Sequence, residues 1–569
     1  MNEESYNSRS EPLKVLMIQA WDGGRLDYFV SPPLGINRVR KWAENELGPS
    51  VDIECFDPNM HLDARERLKR KVAETSYDVM AFSPLHLTME NDLALMHDIH
   101  TISPNALYVA GGQQSAFAWD LIGKYAPFMD AIITGEGEKP FTEILKITLE
   151  NSVSAVSRSP GTYLGKIPGM YVKGQGRNPG FNMAMGDEDF KKATFLLDFK
   201  DLDIESYWAV LEHNRSEEEL KDPKWMSKIY TLKPYTTNYC PMNCSFCSTT
   251  NFYKDAGDGR APVTGIRGKD LEDYITGLFE NQPRARTVLF KDDLWFIRGK
   301  GGRVALLEDL AALKKVREKF PNRDVGYHGK ARVDTFVDPK TLVIDEELYK
   351  ATVDAGFRGI SFGLESFDVE ELDYYNKRLG PNGPEVNKLA ALSATGHGLN
   401  VVSYIILSGL VSRPDTIFRT LKGCTDLVSR GEIVTMNPYL YALPGTDIAR
   451  DIENHPELVE TKTYPVPGYP EMSVERVVKI APRDKRAREI IDEFETRMPN
   501  HKEETQKRLK VKDWICEFST PAQLELIAKI GLEKGFFPEA ETLQIIKDLN
   551  DLMLKYKRED RVAREVTYA

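Results

Sequence analysis

The chain has 569 residues, 41% hydrophobic and 28% charged, which suits a globular protein of about three or four domains and excludes a disordered one. Its net charge of −12 argues against broad nucleic-acid binding, and no apolar run approaches the roughly 20 residues that span a bilayer. Six cysteines in so long a chain exclude the disulfide framework of a small secreted domain; the start, MNEESYNSRSEPLK, lacks the apolar core of a secretory signal, so a cytoplasmic location is expected.

From about Leu13 to Leu145, apolar strand-like runs alternate with helical patterns. KVLMIQA (14–20), VDIECFD (51–57), DVMAFSPL (78–85), ALYVAGG (106–112) and DAIITGEGE (130–138) read as buried strands. GINRVRKWAENEL and ENDLALMHDIHTI between them have helical spacing of apolar residues. Such alternation predicts a Rossmann-like, doubly wound parallel sheet over 1–150, with its ligand beyond the strands' carboxyl ends. Residues 151–225 are richer in Gly, Pro and charge and read as a connecting region.

A second series occupies 226–447, with candidate strands at 228–237, 287–293, 325–333, 359–366, 399–407 and 434–443. Six β/α units predict a partial (β/α)6 barrel, whose chemistry sits at the carboxyl ends of the strands. Residues 448–569 read as a mainly helical C-terminal region, with EIIDEFETRM and AQLELIAKIGL its clearest pieces. The α/β class follows for the chain as a whole.

The segment TTNYCPMNCSFCSTTNF places Cys240, Cys244 and Cys247 in C-x3-C-x2-C spacing directly after the first strand of the second series. Thiolates are soft ligands that suit iron–sulfur clusters. Three of them can hold three irons of a 4Fe–4S cubane and leave the fourth open. The amino and carboxylate groups of S-adenosylmethionine (SAM) can chelate that iron, and an electron from the cluster then breaks a carbon–sulfur bond. A structural zinc site wants four Cys or His ligands, and no second CxxC or HxxxH lies nearby. Cys55, Cys424 and Cys516 are scattered and read as core positions.

The triplet, with Phe246 before its third cysteine, resembles the signature of the radical SAM enzymes, and residues 228–446 resemble the barrel of the branch that carries an N-terminal cobalamin-binding domain. FKDDLWF (290–296) is similar to that branch's acidic second-strand motif, ARVD (331–334) to a strand with a basic residue, and GISFGLESFDVEELDYYNK to its G-x-E-S strand; ALPGTD (442–447) is similar to the ending of the sixth strand. The resemblance implies SAM contacts from Phe246, Asp292, Asp293, Arg332, Glu365, Ser366 and Ser403. In the N-terminal domain, SPLHLT (83–88), AGGQ (110–113) and TGEGE (134–138) resemble cobalamin-binding loops, and SPPLGI (31–36) is also typical of the branch. They imply cobalamin contacts from Ser83, Leu85, Thr88, Gly111, Gly112, Gln113, Gly135, Glu136 and Gly137. Many such domains carry D-x-H-x-x-G after the first strand; here the loop reads WDGGRLDYF, and no lower cobalt ligand is assigned.

The resemblance further implies a methyltransferase acting on an unactivated carbon of a small metabolite or natural-product intermediate, with methylcobalamin as methyl donor and flavodoxin or ferredoxin as electron donor. Ring closure or rearrangement without methyl transfer, and a non-catalytic iron–sulfur protein, stay open at this point. Tyr404, Asn437, Tyr439 and Tyr441, on or after late strands, are candidate substrate contacts.

Overall fold

Short strands that are apolar throughout form parallel sheets covered on both faces, and the first third of the chain builds one. The computed structural model describes residues 11–23, 31–180, 185–213, 215–217, 219–238, 240–256, 263–297, 301–509 and 516–558. β1 (Leu13–Gln19), β2 (Val51–Phe56), β3 (Val79–Ser83), β4 (Leu107–Ala110) and β5 (Ala131–Ile133) pair in parallel in the order β2-β1-β3-β4-β5. Leu16, Ile18, Met80, Phe82 and Tyr108 pack beneath the helices Ala64–Glu74 and Met89–Ile102. Their neighbours Val15, Met17, Val79, Ala81 and Val109 face the other way, beneath Leu34–Leu47 and Glu138–Asn151. The sheet is doubly wound, and its order reverses between β1 and β3, the place where such sheets take ligands beyond their carboxyl ends. From position 24 onward the loop WDGGRLDYF lies outside the described residues.

Two antiparallel strands, β6 (Met170–Val172) and β7 (Gly176–Arg177), continue this sheet beyond β5. The stretch that the sequence reads as a connection therefore supplies sheet edge, followed by the helices Asp187–Leu196, Ile204–His213 and Pro223–Ile229.

β8 (Thr231–Leu232), β9 (Thr287–Leu289), β10 (Gly326–Ala331), β11 (Phe357–Glu365), β12 (Asn400–Ile406) and β13 (Ile433–Asn437) are all parallel and adjacent in chain order. This is an open, six-stranded partial barrel. Val288, Tyr327, Phe362, Val401, Ile405 and Val434 point outward into the core shared with the surrounding helices. By the two-residue period, His328, Lys330, Ser361, Tyr404, Thr435 and Asn437 point inward, and the last two are exposed to solvent there.

The C-terminal region opens with the short helix Asp447–Ile452, followed by an antiparallel hairpin, β14 (Val459–Val466) and β15 (Tyr469–Ile480), and the longer helices Lys485–Leu509, Cys516–Glu533 and Glu539–Arg558. Val466, Met472 and Val474 of the hairpin join the core of the first sheet, while Leu458 and Ile480 at its ends join a cluster under the barrel mouth. The helix Cys516–Glu533 covers the free edge at β13, where the Thr520 hydroxyl donates to the Val434 carbonyl (2.7 Å). Among the described residues no helix is long and apolar enough to cross a membrane.

Candidate active site between the sheet and the barrel

The three cysteines lie on the loop that leaves β8 and enters the helix Ser248–Ala256. The loop is pinned from within and from outside. The Cys247 N–H donates to the Cys244 carbonyl (3.1 Å), and the Thr250 hydroxyl donates to the carbonyls of Cys240 (3.2 Å) and Met242 (2.5 Å). Ser245 donates its N–H to Tyr375 O (3.2 Å) and its hydroxyl to Tyr374 O (2.8 Å), fastening the loop to the segment after β11.

All three thiols are half-buried. Burial pushes Cys240 up to about 12 and raises Cys247, and the negative charge of Asp293 and of the neighbouring thiols adds to both. A cationic cluster reverses this balance, because a coordinated thiol loses its proton outright. Among the described residues no three His, Cys, Asp or Glu side chains converge on the point one metal ion would occupy. A cubane makes no such demand, since each thiolate takes a different iron; the donor set fits a cluster better than a single zinc ion. Cys55 is half-buried and Cys424 fully buried, away from the triplet, and the side chain of Cys516 is outside those described.

The residues implied for SAM divide into two groups. Asp293 and Arg332 stand near the cysteines, close enough for their charges to act on one another. Arg332 is held by both oxygens of Asp334 (2.9 Å each) and donates to Lys377 O (2.5 Å). Glu365 ends β11 at φ 65°, a left-handed backbone for a residue with a side chain, and accepts from Lys377 Nζ (3.1 Å). Phe246 sets its ring edge-on to Tyr375, 5.7 Å between centroids.

Asp292, Ser366 and Ser403 are placed otherwise. Asp292 Oδ1 accepts from the N–H and hydroxyl of both Thr236 (2.9 and 3.0 Å) and Thr237 (2.6 and 2.7 Å). Its other oxygen is buried without a partner among the described residues, at the wall of the interdomain cavity. Ser366 is fully buried and spends its hydroxyl on Glu371 and Thr420. Ser403 lies between Phe362 and Val434 on the helix-facing side of the barrel, so its side chain points away from the lumen that Tyr404 faces. Tyr439 and Tyr441 sit in the loop after β13 with rings 5.4 Å apart.

Between the two sheets lies a half-open cavity of about 310 Å³. One wall is made by the carboxyl ends of β3, β4 and β5: Ser83, Gly111, Gly112, Gly135, Glu136 and Gly137 line it, all implied by the sequence. Gly112 has φ +92°, and a Cβ there would stand 3.0 Å from Ser83 Oγ, so backbone and packing both favour glycine at this position. Leu85, Thr88 and Gln113 stand off this wall. Leu85 is 46% exposed, Thr88 donates to buried Asp92 (2.6 Å), and Gln113 reaches across to Ser248 (2.9 Å).

The opposite wall is the barrel mouth, with Tyr235, Thr237, Asn238, Phe252, Lys291, Asp292 and Asp293. Sequence reasoning missed Arg38 and Glu138, a buried ion pair (2.8 Å) in the same cavity, with the guanidinium over the rings of Phe190 (4.5 Å) and Tyr235 (5.3 Å). They are 100 positions apart, and no local pattern joins them.

Residues 27–145 match the family described as B12 binding domain. Over 339 residues the chain is 24% identical to the anaerobic magnesium-protoporphyrin IX monomethyl ester cyclase of Cereibacter sphaeroides, covering 58% of this chain and 46% of that protein. It is 23% identical to the hopanoid C-3 methylase of Methylococcus capsulatus, covering 62% and 57%. The chain thus spans about half the length of these curated relatives. Among solved structures it resembles the radical SAM methyltransferase TsrM of Kitasatospora setae, solved with cobalamin and a [4Fe–4S] cluster, at TM-score 0.58 and 15% identity over 97% of this chain and 100% of that one. With its cysteine triplet on a partial barrel and a match to the B12 binding domain on the sheet that faces the barrel mouth, the chain has the fold of the cobalamin-dependent radical SAM enzymes it resembles.

Proposed function

We propose that the protein is a methyltransferase that places a methyl group on an unactivated carbon of a small molecule. One observation carries this reading: the glycine-lined ends of the B12-binding sheet and the mouth of the cysteine-bearing barrel face each other across one cavity. Bound there, a 4Fe–4S cluster with SAM supplies hydrogen abstraction, and cobalamin supplies a transferable methyl group. The chain's own work is to bind, orient and shield. Cys240, Cys244 and Cys247 would hold the cluster, and Asp293, Arg332 and Glu365 would meet SAM. Ser83, Gly111, Gly112, Gly135, Glu136 and Gly137 would bed the cobalamin. Asp292, with one carboxylate oxygen unspent, is available to a ligand N–H or O–H. Tyr404, Thr435 and Asn437 line the lumen in which the substrate would lie, and flavodoxin or ferredoxin would supply electrons.

The likeness to a hopanoid methylase and to a methyltransferase structure supports methyl transfer. The likeness to a cyclase favours a second reading, in which the same cofactors drive ring closure. Product analysis under reducing, anaerobic conditions separates them. Methyl transfer yields S-adenosylhomocysteine and 5′-deoxyadenosine in comparable amounts and a product heavier by one methylene; ring closure yields 5′-deoxyadenosine with little S-adenosylhomocysteine. A reconstituted protein that forms no 5′-deoxyadenosine from SAM would refute both.

A further inference from the structure

The barrel's inner face carries a run of positive charge that the reading above leaves unused. Lys330 lies on β10 between Gly329 and Ala331 and points inward, opposite to Tyr327 and Ala331, which join the outer core. β9 and β10 align Leu289 with His328, so two residues further on Lys291 falls beside Lys330 on the same face. β8 and β9 align Leu232 with Val288, which puts Lys233 beside Leu289, one rung deeper on that face. Lys330 on β10 and Lys233 and Lys291 just after the ends of β8 and β9 thus form one inward patch, and Lys291 opens onto the interdomain cavity.

Like charges on adjacent strands repel, and half-burial denies them water. Both effects are visible. Burial, with Lys291 adding to it, lowers Lys233 to about 8, and burial with Lys330 lowers Lys291. Among the described residues no carboxylate stands within ion-pair distance of Lys233 or Lys330; Asp293 feels Lys330 without pairing with it. Beside Lys330 on the next strand lies Ser361, hydrogen-bonded to Tyr404. Ammonium groups and hydroxyls on neighbouring rungs of one face are the donor set of an oxyanion site.

We propose that Lys291 and Lys330, with Ser361 and Tyr404 beside them and Lys233 beneath, bind an anionic group of the substrate, a carboxylate or a phosphate, so that the substrate is an acid. This deepens the proposed function and rests on it only in taking the lumen as the substrate's place.

The test is thermal unfolding of the cluster-reconstituted, full-length protein titrated with inorganic phosphate and, separately, with succinate, against sodium chloride at matched ionic strength. The wild type should gain on the order of 2 °C or more from at least one of the two anions beyond the chloride control. The stronger anion names the class: phosphate for a phosphorylated substrate, succinate for a carboxylic acid. The K291M/K330M double variant should lose the gain while its SAM dissociation constant stays within about twofold of wild type; K330R should keep the gain and K330Q should lose most of it, which decides the matter if the double variant does not fold. Equal anion gains in wild type and K330Q overturn the proposal. So does a tenfold loss of SAM affinity in K330Q, which would assign the lysines to the carboxylate of SAM. Absence of SAM cleavage in the wild type would sink the proposed function and leave the anion titration standing.

Discussion

The side-chain amide of Gln113 donates to the hydroxyl of Ser248 across 2.9 Å. Gln113 opens the helix that follows the glycine pair after β4, and Ser248 opens the helix that follows Cys247. One hydrogen bond therefore joins the loop facing the proposed cobalamin site to the loop proposed to hold the cluster. A neutral hydrogen bond is worth about 1 kcal/mol, roughly a fivefold effect on an equilibrium. Gln113→Ala should keep its iron content but form about fivefold less methylated product per 5′-deoxyadenosine, as the two sites lose their fixed relation. An unchanged ratio by mass spectrometry would show that this contact does not register the two sites.

Gly445, in the turn after the last barrel strand, sits against Phe117 of the first domain. Its φ is +80°, and a Cβ would fall 2.3 Å from the Phe117 ring. Gly445→Ala faces both backbone strain of about 1–3 kcal/mol and a clash at the domain contact. It should unfold several degrees below wild type, and adding Phe117→Ala should recover the clash but not the strain. No recovery in the double variant would mean that the ring contact contributes nothing to the defect.

What the sequence made legible follows from range. Buried parallel strands are continuous apolar runs, so LKVLMIQ and VMAFS announce themselves locally, as does a metal loop with three cysteines in eight positions. The hairpin Val459–Ile480 did not. Its segments VETKTYPV and YPEMSVERVVKI mix charge with apolar residues because Val466, Met472 and Val474 pack on a domain more than 300 residues earlier in the chain. The direction of Ser403 was equally hidden: a two-residue period says that Ser403 and Tyr404 face opposite ways, and only the neighbours Phe362 and Val434 say which way is out. The lysine patch likewise depends on register between strands and not on any motif.

Asp92 fastens the first domain's upper loops and should leave a trace in pH dependence. One of its oxygens accepts from Trp21 N–H (2.8 Å), the other from Leu85 N–H (3.1 Å) and the Thr88 hydroxyl (2.6 Å). Burial outweighs these donors and raises its pKa to about 7, against about 3.9 in an unfolded chain. Below about pH 4 both states hold the proton. Between about 4 and 7 the unfolded chain releases it first, so ionisation favours unfolding and this group's contribution falls as pH rises; above about 7 the loss is complete. Asp92→Asn cannot ionise. The unfolding free energy of wild type minus that of the variant, from urea titrations, should therefore decrease from pH 4.5 to pH 7 and then level off. A difference independent of pH over that range would rule Asp92 out as its source.

Arg476 on β15 binds Glu90 with two nitrogens (2.7 and 3.0 Å), donates to His86 O (2.9 Å), and stacks on Tyr464 at 3.8 Å. The pair is nearly closed to water, at 7% and 13% side-chain exposure, and it docks the hairpin on the loop and helix after β3. Removing one partner of a buried pair leaves an uncompensated charge and costs about 3–5 kcal/mol, whereas removing both costs far less. Arg476→Met should therefore lose at least about 2 kcal/mol in chemical unfolding, the residual exposure of Glu90 reducing the full penalty. The Glu90→Gln/Arg476→Met double variant should be more stable than Arg476→Met alone, because no charge is then stranded under the hairpin. If the double variant is the weaker of the two, the cost of the single one comes from lost packing on Tyr464, and the ion pair is not what holds the hairpin to the first domain.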